Sequence, residues 1–271
     1  MRVAYVLAAW GGSRREGPIP PGRLDPDEAK PFDPTELLRG HFAHLDSLDH
    51  DAQVILMVPR NDRFGDRSEN APGYDDLIGE LSERPDVRVH HRPNGGYSYG
   101  SWSDAFGLYR DEFDVYLFYE DDYWPIGHHF DRTWVELLDQ AGSSCGYLCG
   151  WYAVTGGHPP HAAVSIGAAT TASLSRVWEV YGCLPHSRRT LPGLWKEEWS
   201  HSQVGFSRAF IEVGLSIQGI VEFGYRSPFW NAKKKELMIF EELPETNDEP
   251  CLFFPAQAWD DPTRPPLSEK G

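Results

Sequence analysis

Glu120, Asp121 and Asp122 stand in a row directly after an apolar run, residues 114–119. Three adjacent carboxylates repel one another and shift toward protonation unless a cation or an array of donors offsets their charge. A hard divalent ion does this through one or two carboxylates while phosphate oxygens fill its other positions. The alternative is a solvated acidic turn after a strand. A second constellation precedes it: Arg92, Asn94, Gly95 and Gly96 in a glycine-rich loop that runs to Gly100 and Trp102. Glycines permit close backbone approach, and a helix N-terminus favours anionic groups. Arg92 carries the guanidinium fork that suits a diphosphate. A plain tight turn also explains these glycines.

The third constellation is Glu197 and Glu198 between Trp195 and Trp199, ahead of Ser200 and Gln203. Ser200 and Gln203 form a capping box for a helix that carries Phe206, Phe210 and Val213. A carboxylate here can deprotonate a hydroxyl or complement the positive end of that helix. Of the ten tryptophans, Trp102, Trp134 and Trp178 fall on helical apolar stripes and are assigned to packing. Trp151, Trp195 and Trp199 are better placed to stack on a sugar ring. The histidines pair as His41 with His44 on one helix face, His128 with His129, and His158 with His161 in a proline loop. None gives a three-ligand zinc pattern.

The elements that must position these groups follow from patterning. Residues 2–10 read as a buried parallel strand ending at Gly11 and Gly12, and residues 11–33 as a long loop rich in Gly, Pro and charge. Asp33, Pro34 and Glu36 supply an N-cap, a first-turn proline and a capping-box acid for a helix with Leu38, Phe42 and Leu45. Residues 53–58, 87–90 and 114–119 read as strands, and 73–83 as a helix. Ser101 and Asp104 read as a capping box opening the helix of Trp102, Phe106 and Tyr109. Strands alternating with helices predict a doubly wound α/β unit with a mostly parallel sheet.

Beyond it, Phe130, Trp134, Leu137, Leu138 and Ala141 mark one helix, and Leu174, Val177, Trp178 and Tyr181 another. Residues 146–154 and 163–168 read as strands of a less regular second half. The expected organisation is one domain over 1–243, with 1–125 forming a nucleotide-sugar half and 126–243 an acceptor half. Residues 244–271 form a proline-rich tail in which 251–254 is an anchoring strand.

Composition narrows the function classes. At 271 residues the chain can bury a sizeable core. Its formal net charge of −16 argues against nucleic acid, which demands concentrated positive charge. No stretch approaches the roughly 18 apolar residues of a membrane span. Residues 3–10 lack the flanks of a secretion signal, and the four cysteines have no CxxC spacing. A cytoplasmic protein with reduced thiols is expected.

Over roughly residues 1–125 the motifs resemble the GT-A glycosyltransferases. The short acidic motif of that family, of the Asp-x-Asp (DXD) kind, follows an apolar strand in the same place; here it stands as Glu120-Asp121-Asp122. The Arg92–Trp102 loop is similar to the Asn-x-Gly loop of bacterial family 2-like and rhamnan-synthesis-type sugar transferases, ahead of the helix under the donor nucleotide. The resemblance implies a GT-A fold in which Asp122 ligates Mn2+ or Mg2+ and Glu120 or Asp121 faces the donor ribose or sugar. It places Ala8, Ala9 and Trp10 at the base, and Arg92, Asn94, Gly95 and Gly96 along the rest of the donor. Glu198, with Glu197 as understudy, becomes the base of an inverting enzyme, and Trp151, Trp195 and Trp199 line the acceptor. Many members use a late histidine as a further metal ligand; here no histidine follows His201.

The expected activity is transfer of a sugar from a nucleotide-diphosphate donor to a hydroxyl-bearing acceptor, such as a carbohydrate. A retaining enzyme of this fold would not require the base. Two rivals stand beside it. Gly11, Gly12, Ser13 and Arg14 resemble part of the loop of sugar nucleotidyltransferases, without its Thr-Arg and downstream Pro-Lys. A non-catalytic carbohydrate-binding protein with the same fold is the other.

Overall fold

In the computed structural model, residues 1–12, 33–60, 70–93, 96–150, 152–153, 161–162, 166–186, 202–225, 228–231, 236–239 and 251–255 are described. The first strand, β1 (Val3–Ala8), is buried along its whole length. On one side it pairs in parallel with β2 (Gln53–Arg60), which pairs with β3 (Val87–Pro93); on the other it pairs with β4 (Val115–Glu120). Farther out lie β9 (Gly167–Thr170), β6 (Cys145–Cys149) and β10 (Ser216–Gly219). The seven-stranded order is β10-β6-β9-β4-β1-β2-β3, and β9 alone runs against its neighbours. The fold is therefore α/β with a mixed, mostly parallel sheet.

Side chains alternate across β1, so Tyr5, Leu7 and Ala9 enter one core while Ala4, Val6 and Ala8 enter the other. The first core is covered by α1 (Pro34–Asp46), α2 (Tyr74–Ser82) and α4 (Phe130–Ala141) through Leu38, Phe42, Leu77, Ile78, Trp134 and Leu138. The second is covered by α3 (Tyr97–Tyr109), α5 (Thr171–Tyr181) and α6 (Ser202–Glu212) through Trp102, Phe106, Leu174, Val177, Phe206 and Phe210. Among the described residues, three helices thus cover each face of the sheet. The cap expected at Asp33 is present: its carboxylate accepts from the amides of Thr35 at 2.8 Å and Glu36 at 3.4 Å.

Two expectations need correction. Helix α3 begins at Tyr97 with Gly96 as its N-cap, so Ser101 lies a full turn inside it and caps nothing. The glycines of the loop set the start instead, and Ser101 is buried with its hydroxyl unpartnered. The strand expected over 163–168 is displaced to β9, while 163–165 lie outside the described residues. Three short pairs stand beside this sheet among the described residues, two of them being β7 (Tyr152–Ala153) with β8 (His161–Ala162), and β11 (Pro228–Asn231) with β12 (Glu236–Ile239). The expected anchoring strand is β13 (Phe253–Pro255), which pairs antiparallel with β5 (Tyr123–Pro125). Among the described residues no helix is long and apolar enough to cross a membrane.

Candidate nucleotide site at the switch point

From β1 the chain builds outward to β2 and β3, then returns to lay β4 on the opposite side of β1. The carboxyl ends of β1 and β4 therefore flank the point where strand order reverses, which is where open α/β sheets bind ligands. Ala8 and Glu120 stand opposite each other in the register there. The acidic turn occupies this crevice.

The three acids are not equivalent. Glu120 is half-buried and accepts a hydrogen bond from the hydroxyl of Ser98 in the first turn of α3. Asp121 is 1% exposed, and its groups act as a brace. Its carboxylate accepts from the Trp10 amide at 2.9 Å, and its amide donates to the Ala8 carbonyl at 3.2 Å. Its own carbonyl accepts from His41 Nδ1 at 3.1 Å and from Trp124 Nε1 at 3.2 Å. Asp122, half-buried, follows at the mouth of the turn.

His41 is fully buried on α1 between Asp121 and the Tyr5 hydroxyl, 2.9 Å from Nε2. A carbonyl only accepts, so Nδ1 carries the hydrogen and Nε2 accepts from Tyr5. Burial lowers the imidazole to about 3, against the opposing effect of the Asp121 carbonyl, so the ring is neutral. One helical turn on, His44 Nε2 donates to the Pro125 carbonyl at 2.8 Å and stacks on Trp124 at 5.4 Å between ring centres. The shared face of His41 and His44 thus holds the backbone of the acidic turn to α1.

The residues expected along the donor divide. Ala8 and Ala9 pack into opposite cores, while Trp10 is half-buried at the strand end. Gly96 caps α3 at φ 77°, a left-handed conformation in which a side chain is strained. A Cβ there would also run into the ring of His186. That histidine was not singled out in the sequence; it comes from a segment tied to α3 by the Leu184 amide donating to Ser103 Oγ at 3.1 Å. No local pattern signals it, because 90 residues separate it from Gly96. Arg92 is 6% exposed, and its Nε donates to the Asp104 carboxylate at 2.6 Å. The guanidinium is therefore engaged between β3 and α3. Asn94, Gly95, Trp151, Trp195, Glu197, Glu198 and Trp199 lie outside the described residues.

Glu120 and Asp122 are the carboxylates of the turn whose side chains are not committed to the Trp10 brace. Among the described residues no cluster of three or more His, Cys, Asp or Glu could hold a metal. Two carboxylates fit an ion such as Mg2+ or Mn2+ that arrives with phosphates supplying further oxygens, and do not fit an all-protein cage. A hollow of about 620 Å³, lined by Asp46, Asp49, His50, Asp51, Asp86 and His129 among others, opens at the start of β2. It is at the opposite end of the strands and separate from the acidic turn.

No family model matches the chain, and no curated protein matches it. Solved structures do. A cytidylyltransferase from Leptospira borgpetersenii serovar Hardjo-bovis (strain JB197) is 16% identical with a TM-score of 0.39, covering 66% of this chain and 65% of its own. A CMP:2-keto-3-deoxy-manno-octonic acid synthetase complexed with CTP is 12% identical with a TM-score of 0.46, over 81% of this chain and 89% of its own. A mannose-1-phosphate geranyltransferase from Thermus thermophilus is 13% identical with a TM-score of 0.39, over 82% and 70%. The chain thus spans about two thirds of the length of the first of these proteins, and its similarity to all three is a distant one of fold.

Proposed function

We propose that the chain is a transferase that handles nucleotide sugars, binding the nucleotide in the crevice between β1, β4 and the start of α3. The observation that carries this reading is the acidic turn at the switch point, fixed to β1 by Asp121 and to α3 by the Ser98–Glu120 bond. Glu120 and Asp122 would hold Mn2+ or Mg2+, which supplies charge neutralisation for a leaving phosphate group when bound. The first turn of α3 offers backbone N–H groups and the positive end of a helix dipole to the same phosphates. The finer reading is sugar transfer to an acceptor hydroxyl, with Glu198 as the base near Trp195 and Trp199.

A second reading, formation of a nucleotide sugar from a nucleoside triphosphate and a sugar phosphate, is favoured by the route of the chain out of β1. Gly11 accepts from the Ala71 amide at 2.8 Å and Gly12 bridges to Asn70, which fixes the two glycines that follow β1 beyond the carboxyl end of that strand. Directly after them the sequence carries Arg14 and Arg15, side chains of the type that pairs with a triphosphate, while Arg23 and Lys30 are balanced by Glu16, Asp25, Asp27 and Glu28 over residues 13–32.

Thermal unfolding with nucleoside di- and triphosphates and nucleotide sugars, each with Mn2+ and with chelator, tests the shared reading. A ligand at about 100 times its Kd adds about 2.7 kcal/mol. A panel with no metal-dependent shift would refute it. Incubation of the selected ligand with sugar phosphates and with carbohydrate acceptors then separates the two: pyrophosphate release from a triphosphate dependent on a sugar phosphate marks nucleotidyl transfer, and nucleoside diphosphate release from a nucleotide sugar dependent on an acceptor hydroxyl marks glycosyl transfer.

A further inference from the structure

The late strand β13 lies against the acidic turn, although residues 126–252 intervene between it and β5. Its partner β5 starts one residue after Asp122, and the pairing sets Phe253 opposite Pro125 and Phe254 opposite Trp124. The Ile126 amide extends the pairing by donating to the Leu252 carbonyl at 2.9 Å. Trp124 in turn donates to the Asp121 carbonyl, so any displacement of β5 reaches the turn directly. A three-residue strand has too few ladder bonds to hold this geometry alone.

Phe253 supplies the remainder. Its side chain is fully buried in the same core as Tyr119 and Ile166, and its ring meets Tyr123 edge-on at 6.0 Å. On its other side it fills the space above Gly150, where a Cβ would come within 2.5 Å of Phe253 Cε1. Gly150 directly follows β6 and is itself fastened by donating to the Ile166 carbonyl at 2.8 Å. One ring is thus wedged between the strand leaving the acidic turn and the chain leaving β6.

We propose that Phe253 is a positioning residue for the crevice, keying the end of the chain between β5 and Gly150 so that Glu120 and Asp122 keep a fixed geometry; its link to binding rests on the nucleotide reading above. On this proposal the late segment is a working part of the site rather than a dispensable tail.

The test compares full-length wild type, Phe253→Ala, Phe253→Leu and Leu81→Ala, the last being a buried truncation on α2 away from the turn. Backbone hydrogen exchange of each protein alone is read first. Amides of 121–124, Ile126 and Gly150 are expected to exchange roughly tenfold faster or more in Phe253→Ala, less in Phe253→Leu, and unchanged in Leu81→Ala. Calorimetry with Mn2+ plus CDP, GDP, UDP or ADP is read second, and a roughly tenfold weaker Kd is expected for Phe253→Ala but not for Leu81→Ala. Unchanged exchange at 121–124 and Ile126 overturns the proposal, as does unchanged Kd in a protein whose wild type binds. A wild type that binds none of the four, nor the corresponding triphosphates, refutes the nucleotide reading instead, and the exchange arm then decides the role of Phe253 by itself. If Phe253→Ala does not fold, Phe253→Leu carries both measurements.

Discussion

Lowering pH should weaken the fold through His41 before any carboxylate matters. The buried ring is held at about 3, whereas an imidazole in the unfolded chain titrates near 6.5. Between those values the unfolded state binds a proton that the folded state refuses, so stability rises with pH through this window and is lost as pH falls. At pH 5 the unfolded group is about 1.5 pH units below its midpoint, which corresponds to about 2 kcal/mol lost relative to pH 7. His90, also lowered by burial, adds with the same sign. Asp51 and Asp86, held down by Arg132 and Arg84, act only below the ordinary carboxylate range and leave this window untouched. Urea unfolding of wild type and His41→Gln at pH 7 and pH 5 isolates the contribution. The variant should start less stable, having lost the ring between Tyr5 and Asp121, yet lose about 2 kcal/mol less between the two pH values. Equal losses would refute the assignment of His41 as a neutral brace of the acidic turn.

Asp121 and Asp122 should separate into fold and ligand roles. Asp121→Ala orphans the Trp10 amide and should cost about 1–3 kcal/mol in chemical denaturation, whereas Asp122→Asn should leave the midpoint unchanged and weaken Mn2+-dependent nucleotide binding about tenfold by calorimetry. Arg92→Ala should lower thermal stability first, because its guanidinium is buried and paired with the half-exposed Asp104. Undiminished stability with selective loss of diphosphate over nucleoside binding would return Arg92 to the ligand. Glu198→Gln should reduce glycosyl transfer by roughly two to four orders of magnitude with donor affinity and melting temperature intact, and near-normal transfer would transfer the role to another acid.

The fold was legible where one face of an element had to be buried. Asp33 and Pro34 announce α1, and the continuous apolar runs of β1, β2 and β4 announce parallel strands covered on both sides. The reversed strand β9 was not legible as such, because direction depends on the excursion through β7 and β8 rather than on any local pattern. Ser101 misled for a related reason: the Ser-x-x-Asp spacing is satisfied equally inside a helix, and only the left-handed Gly96 decides where α3 begins. At the site, the position of the acidic turn follows from the strand that precedes it. The division of labour within it does not, since Asp121 is defined by partners at Ala8, Trp10 and His41, each about 80 residues or more away.

Charge shows what the proposed chemistry would require. A chain of net charge −16 with carboxylates at its crevice repels a nucleotide diphosphate unless local positive potential outweighs the field of the whole. Among the described residues the fold offers one partial source at this crevice and withholds two others. The first turn of α3 presents its positive end beside Glu120, through Ser98, but a helix terminus offsets only about half a charge. His41 cannot contribute, because burial keeps it neutral and its two nitrogens are engaged with Tyr5 and Asp121. Arg92 is drawn away by Asp104. On the proposed reading, what remains is a divalent ion on Glu120 and Asp122, so affinity for phosphates should depend steeply on the ion while affinity for the nucleoside should hardly depend on it.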